Sequence, residues 1–252
     1  RRALLPCQIE RALIGRQRGR RFKGSDGGCA GNVRASQFAG QGAQTPGMGR
    51  DLHEHSAAAK ATFAQADAIL GRPLSSTCFH GAAEDLTACA TCQPAITAMS
   101  LACLAAWNER TNVTPVICGG LSLGEYAALQ AAGALSMPDA LRLVAERGRL
   151  MDQACRQSEG GMAAIIGDDP ALVQKVCKTC GIDVANYNCP GQIVISGAKD
   201  GLRQAMQTLT AAGLRVVELQ VAGAYHSRLM QPAADAFLPM LSGSASSKGT
   251  SS

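Results

Sequence analysis

The 252 residues are 46% hydrophobic and 17% charged, which excludes a disordered or solvating chain and supplies apolar mass for one large domain or two small ones. Aromatics are only 4% while Ala and Gly abound, which suits tightly packed α/β layers better than an aromatic-rich β-sandwich. The net charge of +5 belongs to the N-terminus: between Arg1 and Arg34, nine Lys/Arg face two acids, Glu10 and Asp26. The remainder is slightly acidic and gives no charge argument for nucleic acid. The Arg-rich, acid-poor stretch over 1–36 reads as a targeting leader or a solvated tail. No apolar run reaches the roughly 18–20 residues that cross a membrane. Eleven Cys with no secretory apolar segment read as reduced thiols.

In chain order, Gly40-Gln41-Gly42-Ala43-Gln44 is a Gly-rich loop. A helix is expected over Ser56–Leu70, stopped by Gly71. A second, buried helix is expected over Pro94–Arg110, with Pro in its first turn. His53 and His55 fall in a polar stretch and are expected in solvent; His80 is expected in a loop. Val113–Cys118 has strand character, Gly119-Gly120 turns, and an apolar helix follows to about Ala132. Ser136-x-x-Asp139 is a capping box that opens a helix to about Cys155. Residues 160–221 then read strand, helix, strand, strand, helix, strand. This βαββαβ order is the ferredoxin-like split unit. After it, Ser227–Leu241 reads as an amphipathic helix, and 242–252 as a mobile Ser/Gly tail.

The sharpest chemical signal is Gly120-Leu121-Ser122-Leu123-Gly124. In a G-x-S-x-G elbow the glycines relieve crowding in a tight strand–turn–helix junction, and the Ser hydroxyl stands at a helix N-terminus. The same spacing also allows an ordinary N-cap serine. A serine nucleophile needs a base. Of the four His, His226 sits between a strand-like run and a helix, a position suited to a cleft base; a buried structural His is the alternative. Arg147 flanks the apolar stripe of its helix, so its guanidinium either snorkels or clamps an anion such as a substrate carboxylate. Cys89/Cys92 and Cys177/Cys180 form two C-x-x-C pairs without zinc-ribbon or thioredoxin context, and read as ordinary thiols rather than a metal or redox site. The Gly-rich loop lacks the Gly-Lys-Ser/Thr of a nucleotide P-loop.

Taken together, Phe38-Ala39-Gly40-Gln41-Gly42-Ala43-Gln44, Cys92-Gln93-Pro94-Ala95, Gly120-Leu121-Ser122-Leu123-Gly124-Glu125-Tyr126, Glu146-Arg147-Gly148, Asn188-Cys189-Pro190-Gly191-Gln192 and Ala224-Tyr225-His226-Ser227-Arg228-Leu229-Met230 resemble the malonyl-CoA:acyl carrier protein transacylases. The resemblance spans about Phe38–Leu241. It implies an α/β-hydrolase-like large domain, here 37–159 and 222–241, with an inserted ferredoxin-like subdomain at 160–221. It makes Ser122 the nucleophile, His226 its base and Arg147 the clamp on the malonyl carboxylate. Gln93 would line the substrate site, and the backbone N–H groups of Gln41 and Leu123 would form the oxyanion hole. It implies ping-pong transfer of malonyl from malonyl-CoA to the phosphopantetheine thiol of acyl carrier protein, by a monomer, with no metal or cofactor and no nucleic-acid or membrane partner.

Leu121 stands where most bacterial members carry His. Leu is like the plastid members, which fits a leader and points to the plastid, with mitochondrion or cytoplasm as alternatives. Ala39 replaces a usual Pro. The family's large domain continues past the helix that ends near Leu241, so the resemblance implies that this part is lacking. Two other readings of the same residues stand beside transfer: a serine esterase or thioesterase, and an inactive relative that binds carrier protein.

Overall fold

A computed structural model describes residues 35–245. The expected leader, apart from its last two residues, and the tail from 246 onward lie outside that range. The chain divides into two compact units, the first ending at Gly148 and the second beginning at Arg149.

The first unit opens with β1 (Ala35–Phe38) and the Gly-rich loop, followed by α1 (Arg50–His55). Next comes α2 (Ala57–Leu70), with the expected signals at both ends. The Ser56 side chain accepts the Ala59 N–H, and Gly71 stops the helix at φ 62. The short α3 (Leu74–His80) was not legible in the sequence, so His80 closes a helix instead of sitting in a loop. His53 also departs from expectation: its ring is half-buried and lies 5.0 Å from that of Phe79.

The long α4 (Cys89–Arg110) starts five residues before the expected Pro94. A proline this far inside a helix removes the N–H that would bond the carbonyl four residues back. That carbonyl belongs to Ala90, and Arg72 Nη2 donates to it at 2.5 Å. The broken rung is thereby satisfied by a side chain. Contrary to the sequence expectation, α4 is long and apolar enough to cross a membrane. Thr and Gln interrupt its apolar runs without exposing it: Gln93, Ala95, Thr97, Ala98, Ala102 and Ala106 are all buried.

β2 (Ile117–Gly120) runs parallel to β1, with Phe38 opposite Gly120. It leads into α5 (Gly124–Ala131) and α6 (Met137–Gln157). Half of the expected capping box forms: the Asp139 N–H donates to Ser136 Oγ at 3.1 Å, while the Asp139 carboxylate accepts the Ser136 hydroxyl at 2.6 Å instead of a backbone N–H. The core beneath these elements gathers Phe38, Phe63, Leu74, Leu86, Leu101 and Leu141, each nearly free of solvent contact.

The second unit holds the expected βαββαβ. Its parts are β3 (Gly160–Ile166), α7 (Pro170–Cys180), β4 (Asp183–Cys189), β5 (Gln192–Ala198), α8 (Lys199–Ala211) and β6 (Arg215–Leu219). The strands lie in the order β4-β5-β3-β6, all neighbours antiparallel. This is the ferredoxin-like arrangement. Alternate strand residues Ala163 and Ile165, and Ile193 and Ile195, point to one face and meet Val173, Val176, Leu202, Ala205 and Leu209 from the helices. Cys177 belongs to this core, and burial pushes its thiol up to about 11. It packs as a small apolar residue among the helix and strand side chains.

A short 3-10 turn (Arg228–Met230) precedes α9 (Gln231–Ala245), which begins later than expected and runs four residues past Leu241. Residues 242–245, expected in a mobile tail, are therefore helical. The segment from 222, expected to rejoin the large domain, falls within the second unit. There the bare Cα of Gly223 faces Cys155, and that of Gly160 faces Ala224.

Candidate active site

The elbow follows from its glycines. A Cβ on Gly120 would stand 2.0 Å from the Gly124 carbonyl carbon, and one on Gly124 would stand 2.3 Å from the Phe38 carbonyl oxygen. Only bare Cα atoms let β2 reverse this tightly into α5 while both press on β1. Ser122, at the apex, has φ 52. Among the described non-glycine residues, only Ser122 and His226 have positive φ. Such a backbone costs about 1–3 kcal/mol and persists where its surroundings over-determine it. Ser122 is not the N-cap of α5: Leu123 holds that position, and no side chain caps the helix.

The Gly-rich loop lies against this turn, since a Cβ on Gly40 would be 2.7 Å from the Leu121 carbonyl oxygen. Among the described residues, neither the Gln41 nor the Leu123 backbone N–H donates to a backbone carbonyl; Leu123 is fully buried and Gln41 half-buried.

Arg147 reaches Ser122 by a similar device. A Cβ on Gly148 would fall 2.3 Å from the Cys89 carbonyl oxygen, so the bare Cα lets α6 close on the first turn of α4. Arg147 then donates from Nη1 to Gln93 Oε1 at 2.7 Å and from Nη2 to Ser122 Oγ at 3.1 Å. Its guanidinium also stands 6.0 Å from the centroid of the Tyr126 ring. It does not snorkel to solvent. Gln93 is fully buried, and its Nε2 donates to Gln41 Oε1 at 3.4 Å. Gln41 Nε2 in turn donates to Cys89 Sγ at 3.4 Å. One buried amide thus ties the guanidinium to the loop that carries the Gln41 N–H.

The groups to which Arg147 donates, Gln93 and Ser122, are neutral. Among the described residues no carboxylate forms an ion pair with it. Burial lowers its pKa, and the neighbouring Tyr126, Cys89 and Glu125 only partly oppose that shift. A partly desolvated cation whose hydrogen-bond partners are neutral is chemically able to take an anion.

His226 belongs to the second unit. Ala224 and Tyr225 before it are buried, as is Ser227 after it, whereas His226 itself is exposed. It is not the buried structural histidine that the sequence left open. Its φ is 57. Ser227 fixes the turn by donating to the Ala224 carbonyl at 2.7 Å and accepting the Leu229 N–H at 3.2 Å.

Residues 37–251 match the model of the acyl transferase domain. The chain belongs to the acyl transferase family. The malonyl CoA-acyl carrier protein transacylase of Bacillus subtilis is 45% identical to it over 204 residues, covering 79% of this chain and 64% of the relative. The chain thus spans about two thirds of the length of this curated relative. Among solved acyl transferases, FabD from Acinetobacter baumannii superposes with a TM-score of 0.81 at 36% identity, covering 84% of this chain and 69% of that one. A type II PKS acyl-carrier protein in complex with its malonyl-transacylase gives 0.79 at 38% identity, covering 83% and 69%. The mixed α/β fold with a ferredoxin-like subdomain is that of the family.

In this candidate site, hydrogen bonds link Ser122, Arg147, Gln93 and Gln41 within the first unit, and Leu123 follows Ser122 in the chain. Two further members carried no assigned role: Tyr126 beneath the guanidinium and Cys89 at the end of the amide relay. Each lies four residues from a named site residue on the same polypeptide stretch, Tyr126 after Ser122 and Cys89 before Gln93. That helical spacing was the available signal.

Proposed function

We propose that this chain transfers malonyl groups from malonyl-CoA to the phosphopantetheine thiol of an acyl carrier protein. The observation that carries this reading is the half-buried Arg147 guanidinium, which donates to the neutral Gln93 amide and stands 3.1 Å from Ser122 Oγ. The malonyl carboxylate takes a bidentate hold on Arg147, and its thioester carbonyl then faces Ser122. Ser122 Oγ attacks as His226 accepts its proton. The carbonyl oxygen becomes an oxyanion held by the N–H groups of Gln41 and Leu123. Collapse breaks the C–S bond, His226 returns the proton to the CoA sulfur, and malonyl-Ser122 remains. The carrier thiol then enters, gives its proton to His226, attacks the same carbonyl and leaves as the malonyl thioester, restoring Ser122–OH. No step calls for a metal or cofactor. The relatives named as malonyl CoA-acyl carrier protein transacylases support the same substrate and acceptor.

The reading extends to action in the plastid, supported by the basic composition before residue 35 and by Leu121 in the elbow.

Acceptor choice tests the proposal. Malonyl-enzyme, freed of CoA and offered carrier protein, discharges onto the carrier thiol far faster than onto water, as followed by intact mass of both proteins. Equal discharge to water would make the chain a hydrolase.

A further inference from the structure

A histidine at positive φ needs its neighbours to hold it there. The segment around His226 is fixed from both sides. Before it, Ala224 packs where Gly160 of β3 has no side chain: a Cβ on Gly160 would lie 2.6 Å from the Ala224 Cβ. After it, Arg228 is seized by Asp183, the first residue of β4. The Arg228 backbone N–H donates to Asp183 Oδ2 at 2.8 Å. Its Nε donates to Oδ1 and Oδ2 at 3.1 and 3.0 Å, and its Nη2 to Oδ1 at 2.6 Å. Exposed ion pairs usually contribute little. This one differs in kind, because the carboxylate also takes a backbone N–H and so fixes the main chain two residues after His226.

Asp183 itself is anchored. It opens β4 opposite Ser196 of the central strand β5, and its side chain is mostly covered, at 25% exposure. The Arg228 side-chain hydrogen bonds hold its carboxyl below the ordinary range, so it is ionised at neutral pH.

We infer that Asp183 is a positioning residue for the proposed acyl transfer: acting through Arg228, it uses the ferredoxin-like sheet as the platform that aims His226. The small subdomain then contributes to proton transfer without supplying a reacting atom. This inference rests on the acyl-transfer reading and on His226 as its base.

The test is the single-turnover rate of Ser122 acylation by malonyl-CoA, measured against substrate concentration. Asp183→Ala lowers the maximal rate about tenfold to a hundredfold, the scale of a small misplacement of a catalytic group. It leaves the half-saturating concentration unchanged, because Arg147 is untouched. Asp183→Glu recovers most of the rate. Arg228→Ala, at an exposed side chain that does not threaten the fold, removes the side-chain hydrogen bonds but keeps the backbone N–H on Asp183, and so gives a smaller loss in the same direction. In a His226→Ala background, adding Asp183→Ala changes nothing further, an outcome that a general loss of structure would not give. A wild-type rate in Asp183→Ala, or a further loss in the His226→Ala background, would overturn the inference. If the wild-type chain forms no adduct at Ser122, the acyl-transfer reading falls and this inference with it. If the wild type acylates and the Asp183 variants match it, only this inference falls.

Discussion

Arg147→Ala is expected to lower kcat/KM for malonyl-CoA by about tenfold to more than a hundredfold. A hydrogen-bonded pair with a charged group contributes about 1.5–3 kcal/mol, and each 1.4 kcal/mol is a factor of ten. Acetyl-CoA, which lacks the carboxylate, behaves differently. In the wild-type site a neutral acyl group leaves the half-buried guanidinium with only Gln93 and Ser122 as hydrogen-bond partners. Removing that cation keeps or raises acetyl transfer, so the variant loses or reverses its preference. Arg147→Lys recovers little, since one ammonium cannot reproduce the planar fork that spans Gln93 and Ser122. The readout is kcat/KM for both thioesters in each variant. Equal loss for both would mean that Arg147 supports the fold or the CoA moiety, and the clamp would be wrong.

His226→Ala is expected to slow acylation at least about a hundredfold, the lower range for lost general-base help. Malonyl-CoA saturation stays near wild type, because the carboxylate contact lies with Arg147 and Gln93. The pH profile supplies a second check. A general base works in its neutral form, so wild-type acylation rises with pH as that form is populated, and the variant loses that rise. Stopped-flow release of CoA from pH 5 to 9 follows both. A variant that keeps the wild-type rate and profile would remove His226 from the mechanism.

Local signals in the sequence were read correctly, and compensated ones were not. Ser56, Gly71 and Ser136 each act within four residues of themselves, so a cap or stop is visible in the string. The βαββαβ order was legible for the same reason: each element carries its own periodicity, and antiparallel neighbours need only short turns. The start of α4 failed because Pro94 normally marks a first turn, and the Arg72 side chain that offsets it lies far away in sequence. His53 looked solvent-bound because its aromatic partners, Phe63 and Phe79, are brought to it by two other helices.

The site shows the same division. G-x-S-x-G reads as an elbow because the glycines and the serine are adjacent. The meeting of Arg147 with Gln93 and Ser122 is a property of three separate segments and could not be read from any one of them. The geometry also adds what the motifs did not say. Gln93 faces the guanidinium with its amide oxygen and the Gly-rich loop with its amide nitrogen, so it holds clamp and loop together.

The central claim is that Ser122 carries malonyl as a covalent ester. The direct measurement is intact-protein mass after brief exposure to malonyl-CoA, with peptide mapping of any adduct, for the wild type and Ser122→Ala. The predicted result is one malonyl group per wild-type chain, mapped to Ser122 and chased off by carrier protein, with none on Ser122→Ala. No adduct on the wild type between pH 6 and 9, or an adduct that survives in Ser122→Ala, would contradict it.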